Sequence, residues 1–324
     1  MGVNLKDLAI KHNLELKDLA GKKIAIDAYN VIYQFLSTIR QYDGTPLMDK
    51  NGNVTSHLSG LFYRTVNLME AGIFPTFVFD GKAPIEKQAV QEARREIRET
   101  AREKYKEALE RGDKEEARKY AQQTSRLTPA MIQESKELIR AMGLPWVQAL
   151  SEGEAQAAYM CNKGDVWAVA SQDYDTLLFA APRLIRNLSI SRKKDVNIEI
   201  IDLIETLNHL HLDISGLVDI GLLVGTDYNV GGVSGIGPKN ALKIVQEHKF
   251  NQYKNKIISY TTLKNLFLQP IVNKDYELVW NSPDARKIKE ILVDRHGFTE
   301  DRIDAAIKRM TCRDVKQKGL GDFI

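Results

Sequence analysis

The sequence predicts an α/β fold in which helices flank a mostly parallel central sheet. Short, almost continuously apolar segments at 22–27, 75–80 and 166–170 alternate with stretches of helical periodicity. Strands of this kind are typical of parallel sheets, because helices cover both faces and leave no polar side. A chain of 324 residues with 43% hydrophobic residues is long enough to bury a substantial core.

Clear turn and stop signals separate the predicted elements of the first half. They are, in order, a strand at 22–27, a helix at 29–39, a turn at 42–46, a helix at 55–71 and a strand at 75–80. The helix at 55–71 carries its apolar residues on one side, which predicts packing against the sheet. Gly72 ends that helix.

The segment 84–126 differs in composition from the rest of the chain. Glu, Lys, Arg, Gln and Ala dominate it, so its helix propensity is high while its apolar stripe is thin. Because Gly112-Asp113 interrupts the segment, we expect two exposed helices that project from the globule. Composition alone favours a salt-bridged, solvated helix pair with no further role.

The α/β pattern resumes after this segment. Its predicted elements are a helix at 129–142, a strand at 145–148, a helix at 152–163 and a strand at 166–170. Residues 183–200 alternate apolar and basic side chains, which indicates a hairpin or an edge strand. From 201 the chain is mostly helical, and the last dozen residues form a polar tail.

The bulk properties exclude several classes of protein. Cys161 and Cys312 lack the spacing of a disulfide framework or a zinc site, which favours an intracellular protein. No apolar run approaches the length of a membrane span, and the N-terminal segment lacks the layout of a signal peptide, so we expect no membrane association. The net charge of +3 neither requires nor excludes nucleic acid.

Acidic residues stand where the predicted parallel strands end. Asp27 ends the first strand, Asp80 ends the second, and Asp173 and Asp175 follow the strand at 166–170. In an open parallel sheet, ligands bind beyond the carboxyl ends of the strands, so these side chains can converge in one cleft. The full set of candidate metal ligands is Asp27, Asp80, Glu152, Glu154, Asp173, Asp175 and Asp227.

Converging carboxylates predict metal ions and, through them, phosphate chemistry. Such groups repel one another or take up protons unless cations lie between them. Hard divalent ions such as Mg²⁺ prefer oxygen ligands, and two groups of acids predict two ions about 4 Å apart. A pair of ions can activate water and neutralise a departing 3′ oxygen, so no side-chain nucleophile is required.

Each acid also has an ordinary structural explanation. Ser151 and Glu154 fit a capping box at the start of a helix, although this explanation leaves Glu152 free. Turn formation or helix capping is the ordinary alternative for Asp173, Asp175 and Asp227. Three predicted strand ends that bear aspartate nevertheless favour a common site.

A glycine-rich connection at 231–241 is a candidate DNA contact. Gly235-Ile236-Gly237 predicts a tight turn between two helices, and Pro238 suits the first position of the second helix. Exposed amides at that helix start can hold a phosphate, with Lys239 adding charge. This arrangement is similar to the helix-hairpin-helix element that grips duplex DNA independently of sequence. The alternative is an ordinary glycine-rich helix connection.

Together these motifs resemble the flap endonucleases of the 5′-nuclease superfamily, in their archaeal and eukaryotic branch. The resemblance extends over residues 2–324, and the family usually has proline where this chain has Leu150. The matching strings are Ile26-Asp27-Ala28, Tyr33-Gln34-Phe35-Leu36, Thr55-Ser56-His57-Leu58, Val78-Phe79-Asp80-Gly81, Ser151-Glu152-Gly153-Glu154-Ala155, Ser171-Gln172-Asp173-Tyr174-Asp175 and Leu223-Val224-Gly225-Thr226-Asp227-Tyr228.

The resemblance implies a PIN-like 5′-nuclease core and specific residue roles. It implies that all seven carboxylates bind two Mg²⁺ ions, for which Mn²⁺ can substitute, and that Gly2 packs near the active site. Lys87 and Arg94 correspond to a basic catalytic pair over the scissile phosphate, so the charged helices become a gateway and cap around a 5′ single strand. For DNA, the resemblance implies contacts from Tyr33, Arg40, Gly235, Gly237 and Lys239, with K⁺ bound at the glycine hairpin.

The tail resembles the binding box for the sliding clamp, PCNA. This box has a glutamine, an aliphatic residue three positions later and two bulky residues after that. The candidate clamp contacts are Gln317, Leu320, Phe323 and Ile324, and the last replaces an aromatic residue usual in the family. A solvated tail without a partner is the alternative.

The resemblance also suggests a division of the chain. The expected parts are a nuclease core at 1–83 and 129–212, a helical arch at 84–128, a helix–three-turn–helix region for duplex DNA at 213–262, a C-terminal helical region at 263–312 and a clamp-binding tail at 313–324.

We therefore expect a structure-specific 5′ flap endonuclease with 5′-3′ exonuclease activity, which acts in Okazaki fragment processing and in repair. We expect a monomer in the cytoplasm or nucleoid of a prokaryote of archaeal type. One rival is a related 5′ nuclease for bubbles or four-way junctions, although the arch has no long insertion. Another is a non-catalytic DNA adaptor recruited by the clamp, which would not need seven acids.

Overall fold

A seven-stranded sheet forms the centre of the computed structural model, which describes residues 2–42, 44–124, 126–188 and 197–317. Across the sheet the strands follow the order β1-β7-β6-β5-β2-β3-β4. In chain order they are β1 (His12–Leu14), β2 (Lys23–Asp27), β3 (Phe74–Phe79), β4 (Trp146–Gln148), β5 (Ala168–Ala170), β6 (Arg183–Arg186) and β7 (Ile198–Asp202).

The sheet is mostly parallel, as the sequence predicts. β4, β3, β2, β5 and β6 run parallel to one another, with Ile26 opposite both Phe77 and Ala170. β6 and β7 form an antiparallel pair, so the alternating segment at 183–200 forms a hairpin and not an edge strand. β1 pairs antiparallel with β7 and closes that edge.

Helices cover both faces of the sheet. In chain order they are α1 (Ala28–Thr38), α2 (Ser56–Glu70), α3 (Gln88–Glu110), α4 (Lys114–Gln123), α5 (Pro129–Ala141), α6 (Gly153–Asn162), α7 (Asp175–Leu178), α8 (Leu203–Leu210), α9 (Ile214–Val224), α10 (Pro238–Gln246), α11 (Asn251–Lys254), α12 (Tyr260–Leu268), α13 (Ala285–Lys289) and α14 (Glu300–Gln317). Two short 3₁₀ turns, Leu16–Leu19 and Ile85–Lys87, and a π-helical turn at Glu290–Arg295 complete the described elements.

The buried residues of each central strand alternate between two apolar clusters. In β2, Ala25 belongs to one cluster, whereas Ile24 and Ile26 belong to the other. Successive strand side chains point to opposite faces, so the two clusters are the two sides of the sheet. α6, α9 and α12 supply one side, and α1, α2, α5 and α14 supply the other.

The charged segment folds as two helices that pack on each other. α3 and α4 form a pair, and their buried residues include only the small side chains of Ala101, Ala108 and Ala121 among those described. This narrow alanine seam agrees with the thin apolar stripe in the sequence. The proposed division of the chain into an arch, a core and a duplex-binding region remains a prediction.

Within the described ranges, no single helix is long and apolar enough to cross a membrane. Only α8 and α9 taken together pass that test, and they are bent by 81°.

Candidate active site

The carboxyl ends of the central strands bring three of the predicted acids to one edge of the sheet. Asp27 ends β2, Asp80 directly follows β3, and Asp173 lies just beyond β5. Because β5, β2 and β3 are adjacent and parallel, their carboxyl ends meet. The charges of Asp80 and Asp173 both act on Asp27.

A backbone pairing between two connections sets Glu152 beside Asp80. The amide of Gly81 donates to the carbonyl of Ser151 at 2.7 Å, and the amide of Gly153 donates to Asp80 Oδ1 at 2.6 Å. A Cβ on Gly81 would lie 2.2 Å from the carbonyl oxygen of Ala149, so only glycine permits this approach. The charge of Glu152 accordingly acts on Asp80.

Glu154 points into the acid cluster and does not cap α6. Its Oε1 accepts hydrogen bonds from Ser171 Oγ at 2.9 Å and from Thr176 Oγ1 at 3.2 Å. The N-cap of α6 is Glu152, and no side chain caps the helix. The capping-box explanation for Ser151 and Glu154 is therefore wrong, because the Glu154 carboxylate accepts hydrogen bonds from these two hydroxyls and lies among the other acids.

Asp173 and Asp175 are held by separate parts of the chain. Asn30 Nδ2 donates to Asp173 Oδ2 at 3.2 Å, and the amide of Val3 donates to Asp175 Oδ1 at 2.5 Å. A Cβ on Gly2 would lie 2.9 Å from the same oxygen of Asp175, so the residue packs directly against the cluster. Tyr174, not Asp175, is the N-cap of α7, and its side chain makes no cap bond.

Asp227 completes the cluster from the connection after α9. It is buried, and its charge acts on Asp175. A turn does form here, because Thr226 and Asn229 bridge each other across it. The turn explanation and the cluster explanation are compatible at this position, since the turn presents the carboxylate to the other acids.

The acids raise one another's pKa values. Burial, followed by the charge of Asp80, raises the pKa of Asp27 to about 8. Burial and the charge of Glu152 raise the pKa of Asp80 to about 6, and burial with Asp227 and Asp173 raises that of Asp175 to about 7. Burial and the neighbouring aspartates also raise the pKa of Glu154. Each of these four acids therefore holds its proton more tightly than a free carboxyl group does.

Lys87 lies within this cluster at the base of α3. Its Nζ is 2.5 Å from Glu152 Oε2, 3.9 Å from Asp227 Oδ2 and 4.9 Å from the ring centre of Tyr228. Burial disfavours the ammonium charge, but Glu152, Glu154 and Asp227 outweigh it and raise the pKa of Lys87. The side chain is therefore a fixed cation.

The carboxylate oxygens of this cluster are suitable ligands for a hard divalent cation, although in this structure they contact protein groups. In the described part of the chain, no three histidine, cysteine, aspartate or glutamate side chains are grouped closely enough to hold a metal ion as they stand. Carboxylate oxygens that carry mutually raised pKa values are nevertheless the ligands that Mg²⁺ and Mn²⁺ prefer. Binding would require side-chain rotation with the backbone in place.

Tyr33 and Arg40 lie beyond this cluster on α1 and the connection that follows it. Tyr33 is 36% exposed and neighbours Tyr29, whose hydroxyl feels the charge of Asp80. Arg40 is half-buried, and its guanidinium donates to the carbonyl oxygens of Ser37 and Gly44. Arg40 thus supports the loop. Arg94 belongs to α3, and its side chain lies outside the described part of the structure.

The glycine hairpin forms the predicted connection between two helices. α9 ends at Val224, and α10 begins after Gly237, which is its N-cap with Pro238 at the first position. Gly235 has φ of +80°, a left-handed conformation that favours glycine. Lys239 is exposed beside the amides at the start of α10.

The clamp-binding prediction falls at the end of the described chain. Gln317 is the last residue of α14, and its side chain lies outside the described part. Leu320, Phe323 and Ile324 lie outside the described residues altogether.

Several residues of the site were not predicted from the sequence. Asn30, Ser171 and Thr176 donate to the acids, and Tyr228 lies under the Lys87 ammonium. The signals were local: Asn30 stands three residues after Asp27, whose side chain caps α1 through the Asn30 amide at 3.0 Å. Polar residues flanking a predicted ligand are reasonable candidates to orient it.

Comparisons with known proteins identify the family of this chain. The chain matches the family models described as XPG N-terminal domain over residues 1–101 and XPG I-region over residues 143–227. It is 53% identical to Flap endonuclease 1 of Pyrococcus horikoshii, over 96% of this chain and 94% of that protein. It is 51% identical to Flap endonuclease 1 of Staphylothermus marinus, over 99% and 98% of the two chains.

Solved structures share the fold. Flap endonuclease-1 from Methanococcus jannaschii superimposes with a TM-score of 0.81 at 43% identity, covering 98% of this chain and 100% of that one. The catalytic core of Rad2 in complex with DNA substrate gives a TM-score of 0.75 at 23% identity, covering 96% and 100%, which shows a common fold alone.

The parallel sheet and its cluster of strand-end acids define a nuclease of the XPG class. Within that class, the identity of about half the residues over nearly the full length decides the family. The chain belongs to the flap endonuclease family.

Proposed function

We propose that this protein hydrolyses one DNA phosphodiester near the base of a 5′ flap with the help of two divalent metal ions. The observation that carries the proposal is the convergence of carboxylates around one ammonium group, with the pKa values of Asp27, Asp80, Glu154 and Asp175 raised by burial and by their neighbours. The expected products carry a 5′ phosphate and a 3′ hydroxyl. Cleavage of this kind serves DNA replication and repair, including Okazaki fragment processing, which are roles that fit the family.

The seven acids fall into two groups that would each hold one ion. Asp27, Asp80 and Glu152 interact most directly on one side, while Glu154 and the three aspartates of the β5 and α9 connections interact on the other. Bound Mg²⁺, or Mn²⁺ in its place, would supply an activated water and charge neutralisation at the leaving oxygen. The side-chain donors Asn30, Ser171 and Thr176 orient these carboxylates.

Lys87 would stabilise the charge that develops on the phosphate. Its ammonium is held between Glu152, Asp227 and the Tyr228 ring, so it needs little reorganisation when the substrate arrives. We assign the same role to Arg94, which lies on α3 seven residues after Lys87.

The glycine hairpin would hold the duplex through its backbone. The exposed start of α10, with Gly235 and Gly237 before it and Lys239 on it, offers amides and one positive charge to a phosphate. K⁺ bound by backbone oxygens of this connection would strengthen the contact. Tyr33, which is partly exposed on α1, would stack on a base beside the cut, and Arg40 would keep the adjoining loop in place.

Two further parts of the proposal rest on the sequence. The tail residues Gln317, Leu320, Phe323 and Ile324 would recruit a sliding clamp. We also propose that the protein acts as a monomer on cellular DNA. The tail is tested by measuring how long the protein stays on DNA with and without a sliding clamp. The clamp should lengthen this lifetime, and Phe323→Ala should abolish the lengthening.

The decisive experiment compares Mg²⁺-dependent cleavage of flap, nicked, bubble and four-way substrates under single-turnover conditions. A flap enzyme should cut the flap fastest, and a preference for bubbles or four-way junctions would assign the chain to a related activity. Asp173→Asn should nearly abolish cleavage, because it removes a charge needed for metal binding. Asp301→Asn, which changes an exposed acid at the start of α14, should leave cleavage unchanged. Equal activity of wild type and Asp173→Asn would remove Asp173 from the metal site.

A further inference from the structure

An arginine at the end of β6 contacts the segment that joins β5 to the start of α7. This segment carries two of the acids, Asp173 and Asp175. Arg186 is the last residue of β6, which pairs with β5 in the sheet. Its Nε donates to the carbonyl oxygen of Gln172 at 3.2 Å, and its Nη1 donates to the Tyr174 hydroxyl at 2.7 Å. The guanidinium therefore contacts the residue that precedes each acid.

The peptide bond directly before Asp173 is held at both of its polar atoms. Its carbonyl oxygen, which belongs to Gln172, accepts from Arg186, and its amide donates to Ser171 Oγ at 3.2 Å. The same Ser171 hydroxyl donates to Glu154 Oε1 at 2.9 Å. Because a peptide bond is planar, its orientation sets the direction in which the next side chain leaves the backbone. Arg186 can therefore direct the Asp173 carboxylate without contacting it.

The Arg186 guanidinium is itself held by further contacts. Its Nη1 lies 3.2 Å from Oε2 of Glu199, the residue opposite it on β7, and the Arg186 side chain is only 19% exposed. Its Cζ lies 4.4 Å from the ring centre of Tyr174, which is buried. A planar guanidinium can stack on a ring and donate in several directions at once, which a lysine ammonium cannot do. The side chain is thus suited to fix the segment in one conformation.

A second arginine of β6 makes the same kinds of contact at the other end of β5. Arg183 Nη1 donates to the carbonyl oxygen of Trp167 at 3.2 Å, and its Cζ lies 5.2 Å from the ring centre of that residue. Trp167 directly precedes β5, which runs parallel to β6. Arg183 therefore lies beside the amino end of β5, whereas Arg186 lies beside the carboxyl end, where the acids are. This difference makes Arg183 a matched comparison.

We propose that Arg186 is a positioning residue for metal binding, which holds Gln172 and Tyr174 so that Asp173 and Asp175 face the acid cluster. The inference rests on the proposed two-metal function and adds a supporting residue to it. The sign of the effect separates this role from simple electrostatics. A positive charge near the acids repels a divalent cation, so removal of that charge alone would strengthen metal binding. Loss of positioning would weaken it.

The test measures Mn²⁺ binding without DNA, by electron paramagnetic resonance of the free ion. Arg186→Met should bind Mn²⁺ about 10–100-fold more weakly than wild type, because residues that orient metal ligands typically contribute this much to affinity. Arg183→Met should bind Mn²⁺ as wild type does. Both variants should lose unfolding free energy in EDTA, since each loses a stacked guanidinium. Stability alone would therefore not distinguish them, whereas metal affinity should.

Cleavage of a flap substrate gives a second measurement. Under single-turnover conditions, Arg186→Met should need about 10–100-fold more Mg²⁺ for half-maximal cleavage, and Arg183→Met should need as much as wild type. Arg186→Lys keeps the charge but cannot contact Gln172 and Tyr174 together. It should also bind Mn²⁺ more weakly than wild type, and it decides the question if Arg186→Met does not fold.

The outcomes separate this inference from the proposed function. If the folded Arg186 variant binds Mn²⁺ as tightly as wild type or more tightly, the positioning role fails while the two-metal function stands. An equal loss of affinity in Arg183→Met would also overturn it, because the loss would then reflect general damage to β6. If wild type binds no Mn²⁺, the proposed function and the inference fail together. If wild type binds Mn²⁺ but cleaves no flap, the proposed function fails, and weaker binding by Arg186→Met still supports the positioning role.

Discussion

Replacing Asp27 with asparagine should stabilise the protein when divalent cations are absent. Burial and the charge of Asp80 raise the pKa of Asp27 from 3.8 to about 8. An acid with a raised folded-state pKa binds its proton more tightly in the folded than in the unfolded chain. The unfolding free energy therefore falls as pH rises from the pKa of Asp27 in the unfolded chain towards its pKa in the folded chain. At pH 7 this loss amounts to about 4 kcal/mol.

Asparagine removes the ionisation but keeps the cap. Its Oδ1 can still accept from the Asn30 amide, as Asp27 Oδ1 does at 3.0 Å. In EDTA at pH 7 the Asp27→Asn variant should exceed wild type in unfolding free energy by up to about 4 kcal/mol. Near pH 4 the difference should vanish. In excess Mg²⁺ the order should reverse or close, because cations that bind only the folded state stabilise wild type more.

Urea unfolding followed by circular dichroism measures these differences. Asp202→Asn is the matched control, because Asp202 caps α8 through the Glu205 amide at 3.0 Å and lies away from the cluster. Its stability should change little, since asparagine and aspartate cap helices equally well. A raised pKa at Asp27 is contradicted if Asp27→Asn is no more stable than wild type in EDTA at pH 7, or if Mg²⁺ stabilises both proteins equally.

Three further perturbations address other parts of the molecule. Lys87→Ala should slow flap cleavage by about 10²–10³-fold while duplex binding changes little; equal losses of rate and affinity would contradict a role in the transition state. Gly81→Ala should lower the unfolding free energy in urea by about 2–4 kcal/mol, because its Cβ would lie 2.2 Å from the Ala149 carbonyl oxygen; unchanged stability would mean that this backbone pairing is dispensable. Burial, and then the charge of His296, lower the pKa of His57 from 6.5 to about 4. Between these two pH values the imidazole binds a proton more readily in the unfolded than in the folded chain. The unfolding free energy therefore falls as pH falls through this range. Between pH 7 and pH 5 His57→Leu should lose about 2 kcal/mol less stability than wild type, and parallel pH profiles would rule this out.

The central sheet and the acid cluster could be predicted from the sequence because their signals are local. Apolar runs identified β2, β3 and β5, and the rule that parallel strands bind ligands at their carboxyl ends placed Asp27 and Asp80 together. Helix ends were within a residue or two of the prediction, since glycine and proline mark them.

Features that depend on distant pairing escaped prediction. β1 has three residues and no apolar pattern of its own, so only its partner β7 makes it a strand. The capping box at Ser151 is consistent with local sequence, but Ser171 and Thr176 draw Glu154 away from it. Competition between a local and a tertiary partner cannot be judged from spacing alone.

The position of Lys87 within the cluster was expected from the family and not from composition. The segment 84–126 has the charge pattern of an ordinary solvated helix pair, and nothing in that pattern distinguishes Lys87 from its basic neighbours. Lys87 differs from these neighbours because of its position shortly after β3. The pairing of Gly81 with Ser151 there brings Glu152 within reach of the Lys87 ammonium.

The acids of the cluster come from both layers of the molecule and from points as far apart as Asp27 and Asp227. A segment that ends before α9 lacks Asp227 and so lacks part of the set. On the proposed assignment of the metal ligands, a copy that lacks α9 and its following turn would not cleave DNA. Metal-dependent cleavage would thus require segments that lie 200 residues apart in the chain to be folded together.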